Sequence, residues 1–345
     1  MTTNEEILPT GRSGKLPTWG VAGDIAKYTA VIAIVLFCLN SLRRKLGTFT
    51  WEQLWEGFGQ VSVGQILLAL LVTSINFVIL TGYDWIAVHY LKKRVPLRRI
   101  MVGAVIGYAF SNLLGWILGG SAVRYRLYSR WGFSLLEVVA FISLLSVTFW
   151  LGLFLLAGIA FVILPVRLPE EYREMLYFPP AYYGWFFLFC VSLYFLASLF
   201  IRKPITIGNQ QFAFPPFRLS LLQLSVSAID FALASLVLYI LLPHGTANYS
   251  TVLVGYLAAM IVTVILHVPG GIGVLELIVL ELLTRHEGAT TQMELPLAVT
   301  CGLVLFRFIY YLLPGLVALL MFLRQEWYFL SERRAEEKND IAENI

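Results

Sequence analysis

Three charged residues interrupt apolar runs where hydrocarbon side chains would be expected. Arg307 stands in Val304-Leu305-Phe306-Arg307-Phe308-Ile309-Tyr310, Asp230 stands in the middle of 217–242, and Glu276 stands near the start of another run. An arginine at the centre of a bilayer costs about 2.5–3.5 kcal/mol even on the milder insertion scale. Arg307 therefore needs a carboxylate, and Asp230 and Glu276 are the candidates. Such a set is either an ion pair that holds two halves in register or part of a substrate path.

Glu276 closes the stretch His267-Val-Pro-Gly-Gly-Ile-Gly-Val-Leu-Glu276. Pro269 with Gly270, Gly271 and Gly273 opens a helix and frees backbone groups. At membrane depth such groups are tolerated only where protein or trapped water satisfies them. A second stretch combines the same ingredients: Gly119-Gly120-Ser121-Ala122-Val123-Arg124-Tyr125-Arg126-Leu127-Tyr128. Its glycines expose amides, Ser121 adds a hydroxyl, and Arg124 and Arg126 offer paired donors that match phosphate or carboxylate. The competing reading is plain anchoring, with arginines reaching back to water; Arg130 takes that reading. Asp84, toward the inner end of its helix, is expected to meet Lys92 or Lys93.

Other chemistry is not supported. His89, His244, His267 and His286 are scattered, and Cys38, Cys190 and Cys301 lie in apolar runs as small core residues. Neither a metal site nor a disulfide framework follows. The chain carries no Gly-x-Ser-x-Gly elbow, no Walker loop and no dinucleotide fingerprint. No cofactor and no catalytic constellation are expected.

The elements that must position these residues are membrane helices. Of 345 residues, 59% are hydrophobic and 13% charged, against about 25% charged in ordinary soluble domains. The net charge of +4 is spread over short loops, which argues against nucleic acid. Residues 1–23 are polar, so no cleavable signal peptide is expected. The apolar runs give an all-α polytopic protein with about six full spans, at 25–42, 63–91, 134–164, 181–201, 217–242 and 296–327. Two broken elements, at 98–130 and 249–286, are expected to be re-entrant helical hairpins. The domains are then a cytoplasmic segment 1–24, a membrane domain 25–327 and a charged cytoplasmic tail 328–345. In Thr48–Gln60, Trp51, Leu54, Trp55 and Phe58 share a helical face, either on the membrane surface or against other helices.

With re-entrant hairpins and a cytoplasmic N-terminus, eighteen basic residues fall inside, six outside and Arg307 within the membrane, which accounts for all 25. That is the asymmetry of the positive-inside rule. Each four-part unit, 25–164 or 181–327, makes three crossings, so the two repeats are inverted. Asp84-Trp85-Ile86-Ala87 resembles Asp230-Phe231-Ala232-Leu233, and each is followed by Gly-Tyr (Gly107-Tyr108, Gly255-Tyr256) and then Gly-Gly, weak support for the repeat.

Taken together, Pro269-Gly-Gly-Ile-Gly-Val-Leu-Glu276 and Gly107-Tyr…Asn112…Gly119-Gly-Ser-Ala-Val-Arg124-Tyr-Arg-Leu-Tyr128 resemble the lysylphosphatidylglycerol synthase transmembrane (flippase) family, UPF0104, over about residues 25–327. The resemblance implies a lipid translocator of the plasma (inner) membrane with both termini cytoplasmic. Its partner would be a membrane lipid with an anionic headgroup, supplied by a separate lipid-synthesising enzyme. The chain departs from the bifunctional members, because only an 18-residue tail follows the membrane domain where they carry a synthase. Gly119, Gly120, Ser121, Arg124, Arg126, Asp230, Pro269, Gly270, Gly271, Gly273, Glu276 and Arg307 are the expected substrate-binding residues. Two alternatives stay open: an accessory or enzyme of glycolipid, polyprenyl-lipid or hopanoid synthesis, and a small-solute secondary transporter. Oligomeric state is not legible.

Overall fold

A computed structural model describes residues 51–164, 177–201, 205–207, 210–284 and 294–343. Helix α1 (Trp51–Gly59) leads into α2 (Val63–Tyr90), α3 (Leu97–Leu114), a π-helical turn at Trp116–Ser121, α4 (Ala122–Arg130) and α5 (Leu135–Ile163). There follow α6 (Pro180–Phe200), strands β1 (Ile205–Ile207) and β2 (Gln210–Phe212), α7 (Phe217–Leu241) and α8 (Tyr249–Ile265). A 3-10 turn at Pro269–Gly271 then precedes α9 (Val274–Thr284) and α10 (Glu294–Phe306), and a second π-turn at Arg307–Leu312 precedes α11 (Leu313–Glu343).

The chain is a helical polytopic membrane protein. Six helices are long and apolar enough to cross a bilayer: Val63–Tyr90, Leu97–Leu114, Leu135–Ile163, Pro180–Phe200, Phe217–Leu241 and Leu295–Phe329. Five coincide with expected spans, while the expected span 25–42 lies outside the described residues. Leu97–Leu114 was expected as half of a broken element, yet by length and composition it is of spanning size itself. Two further differences concern the ends of helices. The stretch expected as a separate tail from 328 continues α11 through Glu343. A small antiparallel hairpin, with Ile205 opposite Phe212, precedes α7.

The long helices start where the sequence supplies caps. Ser62 and Ser134 open α2 and α5 with reciprocal boxes to Gln65 and Glu137. Each box satisfies amides that the first turn leaves free. Lipid supplies no hydrophobic drive between helices, so close approach of small residues must do the packing. Gly158 of α5 and Gly184 of α6 meet face to face, and Gly152 of α5 lies on Ser227 of α7.

Helices α2 and α7 run antiparallel through the centre. Gln65 donates to the carbonyls of Ile240 (2.8 Å) and Leu242 (3.1 Å) at one end. Asn76 meets Asp230 further along, and Gly82 lies on Val226 beyond it. Around this pair sit two cores. One gathers Tyr83, Ile106, Leu127, Tyr128 and Phe141; the other gathers Phe231, Leu238, Leu257, Leu280 and Phe306.

Both broken elements fold back on themselves. In the first, Gly103 faces Tyr128, Gly107 faces Arg124 and Gly120 faces Ser111, an antiparallel register about the turn. In the second, Gly271 faces Thr263 and Gly255 faces Leu282. The two tips touch: a Cβ on Gly270 would lie 2.7 Å from the carbonyl oxygen of Asn112. Helix α1 rests on α10 through Gly57, beside Leu297 and Cys301, and leaves Trp55 exposed.

Candidate functional site

Arg307 opens the second π-turn, a distortion that often marks functional positions. Its Nε donates to Glu276 Oε1, and its Nη1 and Nη2 donate to the carbonyls of Gly270 and Gly271, the latter at 2.9 Å. The turn explains why those carbonyls are free. Gly270, Gly271 and Gly273 have φ of 61°, 62° and 82°, and His267 joins them at 54°. A continuing helix would have supplied amides there, and the guanidinium takes their place. Glu276 is the third residue of α9. Its other oxygen accepts the Gly273 amide at 2.8 Å, which caps the helix start and complements its dipole. Tyr311 covers the guanidinium, 4.5 Å from its ring centroid. The pair is not sealed: 18% of the Arg307 side chain and 12% of that of Glu276 stay accessible.

Arg124 sits in a different setting. It and Asp84 form an ion pair at 3.4 Å with no exposed side-chain surface on either. Tyr128 donates to the second Asp84 oxygen at 2.7 Å. Arg124 Cζ lies over the Tyr108 ring, 4.2 Å from its centroid, and 5.4 Å from that of Trp116. Nη1 is 3.5 Å from Ser111 Oγ, and Nε has no partner. Gly107 makes room, since a Cβ there would fall 2.5 Å from Arg124 Cζ.

Asp230 lies between the two pairs. Its carboxylate accepts from Asn76 at 3.0 Å and from Tyr83 at 2.8 Å. The Asn76 amide also donates to Tyr310 at 2.6 Å. Inclined ring contacts extend the seam both ways, Tyr310 edge-on to Tyr311 toward Arg307, and Tyr83 tilted against Tyr108 toward Arg124. A continuous polar and aromatic seam thus joins the tip of one hairpin to the body of the other.

The expected residues divide accordingly. Glu276, not Asp230, is the partner of Arg307. Asp84 holds Arg124, and Lys93 instead bridges Glu137 and the Gly132 carbonyl. Arg124, expected at an accessible phosphate site, is enclosed. Arg126 points the other way, 51% exposed, with both nitrogens on Glu326 of α11 at 2.5 Å. Gly119 and Gly120, expected as the break, sit within the π-turn, and the chain reverses at Gly115 (φ 85°). Ser121 belongs to the same turn and makes no cap. Asn76, Tyr83, Tyr108 and Tyr310 were missed. Asn76 and Tyr83, seven residues apart on one face of an otherwise apolar run, were the available signal.

Fold and site define a polytopic helical membrane protein with two glycine-turned hairpins around a buried charged seam. No model of a protein family matches the chain. It is 34% identical over 301 residues to an uncharacterized protein of Synechocystis, slr0712, covering 87% of this chain and 91% of that one. It is 30% identical over 328 residues to the inner membrane protein YbhN of Escherichia coli, covering 94% and 98%. The chain belongs to the family of YbhN, UPF0104, of the lysylphosphatidylglycerol synthase transmembrane type. The phosphatidylglycerol lysyltransferase of Staphylococcus aureus is 24% identical over 306 residues, which are 86% of this chain and 34% of that protein.

Proposed function

We propose that the protein is a flippase-like lipid translocator that moves an anionic phospholipid or lipid-linked headgroup between leaflets of the plasma (inner) membrane. The observation that carries this reading is the state of Arg307. Its guanidinium Nε and the Gly273 amide at the α9 start converge on one carboxylate, that of Glu276, while Nη1 and Nη2 hold the Gly270 and Gly271 carbonyls. Guanidinium and helix start are both groups that bind phosphate, the first by paired donors and the second by its amides and dipole. Glu276 thus stands where a headgroup phosphate would bind, and exchange of one for the other is the gating step. Release of the Gly270 and Gly271 carbonyls would let the hairpin tip part from Asn112, while the acyl chains stay in the bilayer.

Arg124 and Arg126 take supporting parts in this reading. Arg124, bound to Asp84, holds the first hairpin against α2; Arg126 ties it to α11. Support for an inverted repeat comes from the antiparallel course of α2 and α7, each with a carboxylate (Asp84, Asp230) ahead of a glycine-turned hairpin. Charge asymmetry favours re-entrant hairpins and cytoplasmic termini. A separate lipid-synthesising enzyme would supply the lipid, and the name of the Staphylococcus aureus relative, phosphatidylglycerol lysyltransferase, points to an anionic phospholipid.

The test is transfer of labelled anionic phospholipid across vesicles reconstituted with the protein. Wild type should move it, and Glu276→Gln should not at equal protein level. Equal transfer by both would remove Glu276 from the mechanism. Cysteines at Arg130 and Ala213 should label from the cytoplasm, and one at His244 from outside. Labelling of position 130 from outside would end the re-entrant arrangement.

A further inference from the structure

Of the three buried acids on the seam, two are neutralised in place and one is not. Asp84 has Arg124 and Glu276 has Arg307. Among the described residues Asp230 has no lysine or arginine partner, only the Asn76 amide and the Tyr83 hydroxyl. A lone carboxylate inside a membrane protein is costly in its charged form, and such groups mark substrate, ion or proton paths.

The surroundings suit a group that exists in two forms. Asn76 is fully buried, its nitrogen makes both of its contacts, and its oxygen makes none. With the carboxylate charged, the amide must donate to it. With the acid protonated, a half-turn of the amide lets its oxygen accept from Asp230 and from Tyr310. The two orientations make the same number of bonds, and no other contact of Asn76 has to break. Tyr83 donates to the other carboxylate oxygen in both.

Every element packed on α7 is consistent with this. Helix α2 brings Asn76 and Tyr83, the π-turn brings Tyr310 and Tyr311, and α3 brings Tyr108 next to Tyr83. Helix α8 brings Tyr256, and Tyr249, whose hydroxyl donates to the Ala232 carbonyl. Helix α5 meets α7 through Thr148, Phe149 and Gly152, α6 through Tyr194 on Gln223, and α10 through Gly302 at Leu241. The cations that bear on the site, Arg124 beyond Tyr108 and Arg307 beyond Tyr311, are each bound to a carboxylate of their own.

We propose that Asp230 is the proton-carrying group of the transport cycle, with Asn76 as its two-position partner. The carboxylate takes one proton from hydronium on one side, leaving water, and returns it to water on the other; only the O–H bond forms and breaks. This assignment rests on the translocator reading, and its test separates the two. In vesicles, a pH difference of one unit should change wild-type transfer of labelled anionic phospholipid several-fold. Asp230→Asn, which fixes the neutral form, should give transfer that is the same with and without the gradient. Transfer by wild type that ignores the gradient overturns the assignment while the translocator stands. Infrared difference spectra of the detergent-solubilised full chain decide independently of transport. A carboxylic C=O band should grow in on acidification of wild type and be missing from Asp230→Asn. An identical band in both proteins, or none in wild type, overturns the assignment even if no lipid moves.

Discussion

The two arginine–carboxylate pairs use the same chemistry in opposite settings. Arg124 and Asp84 are sealed, with Tyr108 and Trp116 against the guanidinium, Gly107 closely packed on it and Tyr128 on the carboxylate. Arg307 and Glu276 sit at a turn of left-handed residues, partly accessible, and each holds backbone as well as its partner. A sealed pair can only be a fixed fastening, because no water or ligand reaches it to compete. A pair at an accessible turn can exchange partners, and exchange moves the backbone it holds. Burial and backbone, not residue type, separate the enclosed arginine from the accessible one, to which the proposed function gives the substrate role.

The largest expected effect tests the fastening. Arg124→Ala leaves Asp84 buried without a cation and should cost about 3–5 kcal/mol, seen as early thermal unfolding in detergent. The double change Arg124→Met with Asp84→Leu should restore most of that loss, since an apolar pair needs no desolvation. If the double variant also transfers lipid, the contrast between the pairs is sharpened. If it is as unstable as the single one, the ion pair is not what fastens the hairpin.

The same logic applied to the second pair should give the opposite pattern. Arg307→Ala removes charge-assisted bonds to a carboxylate and two carbonyls, each worth about 1.5–3 kcal/mol when buried and less here. An unfolding midpoint between those of wild type and Arg124→Ala is expected. Arg307→Met with Glu276→Leu should recover stability but not transfer. Recovery of transfer by that pair would make the two settings equivalent and break the comparison.

Gly107→Ala comes next. The new methyl would collide with the Arg124 guanidinium, which has little room to move, so a cost of about 1–3 kcal/mol is expected from overpacking. A neutral outcome in the unfolding measurement would show that the sealed site has more freedom than its contacts imply.

Much of this was legible beforehand, for reasons of composition and spacing. Apolar run lengths gave five of the described spans, and Pro269, Gly270 and Gly271 gave the second break. The Arg307–Glu276 pair followed from the cost of a lone arginine, which narrowed its partner to two. What failed was geometry that spacing does not encode. Gly-Gly at 119–120 resembles a break, but Gly115 takes the positive φ, and the following pair is used for close packing within a π-turn. Arg124 and Arg126 look alike in sequence. Whether a guanidinium faces α2 or α11 depends on how the hairpin is rotated, and that is set by tertiary packing. Asn76 and Tyr83 passed as ordinary residues of an apolar helix because their partners are 154 and 147 positions away.

Arg126 supplies the smallest expected effect and the closest control. It sits two residues from Arg124 on the same short helix, with both nitrogens on Glu326 at 2.5 Å, a better geometry than the 3.4 Å of the sealed pair. Geometry alone would rank it the stronger. Exposure argues the reverse, because water and ions already stabilise a guanidinium that is half in solvent. Arg126→Ala should therefore cost under about 1 kcal/mol, and the loss should shrink further in high salt. Unfolding midpoints of the Arg124 and Arg126 variants, measured side by side at low and high salt, check both statements. A salt-insensitive loss at Arg126 as large as that at Arg124 would mean that the contact with α11 is shielded in the membrane, and that burial is not what distinguishes these arginines.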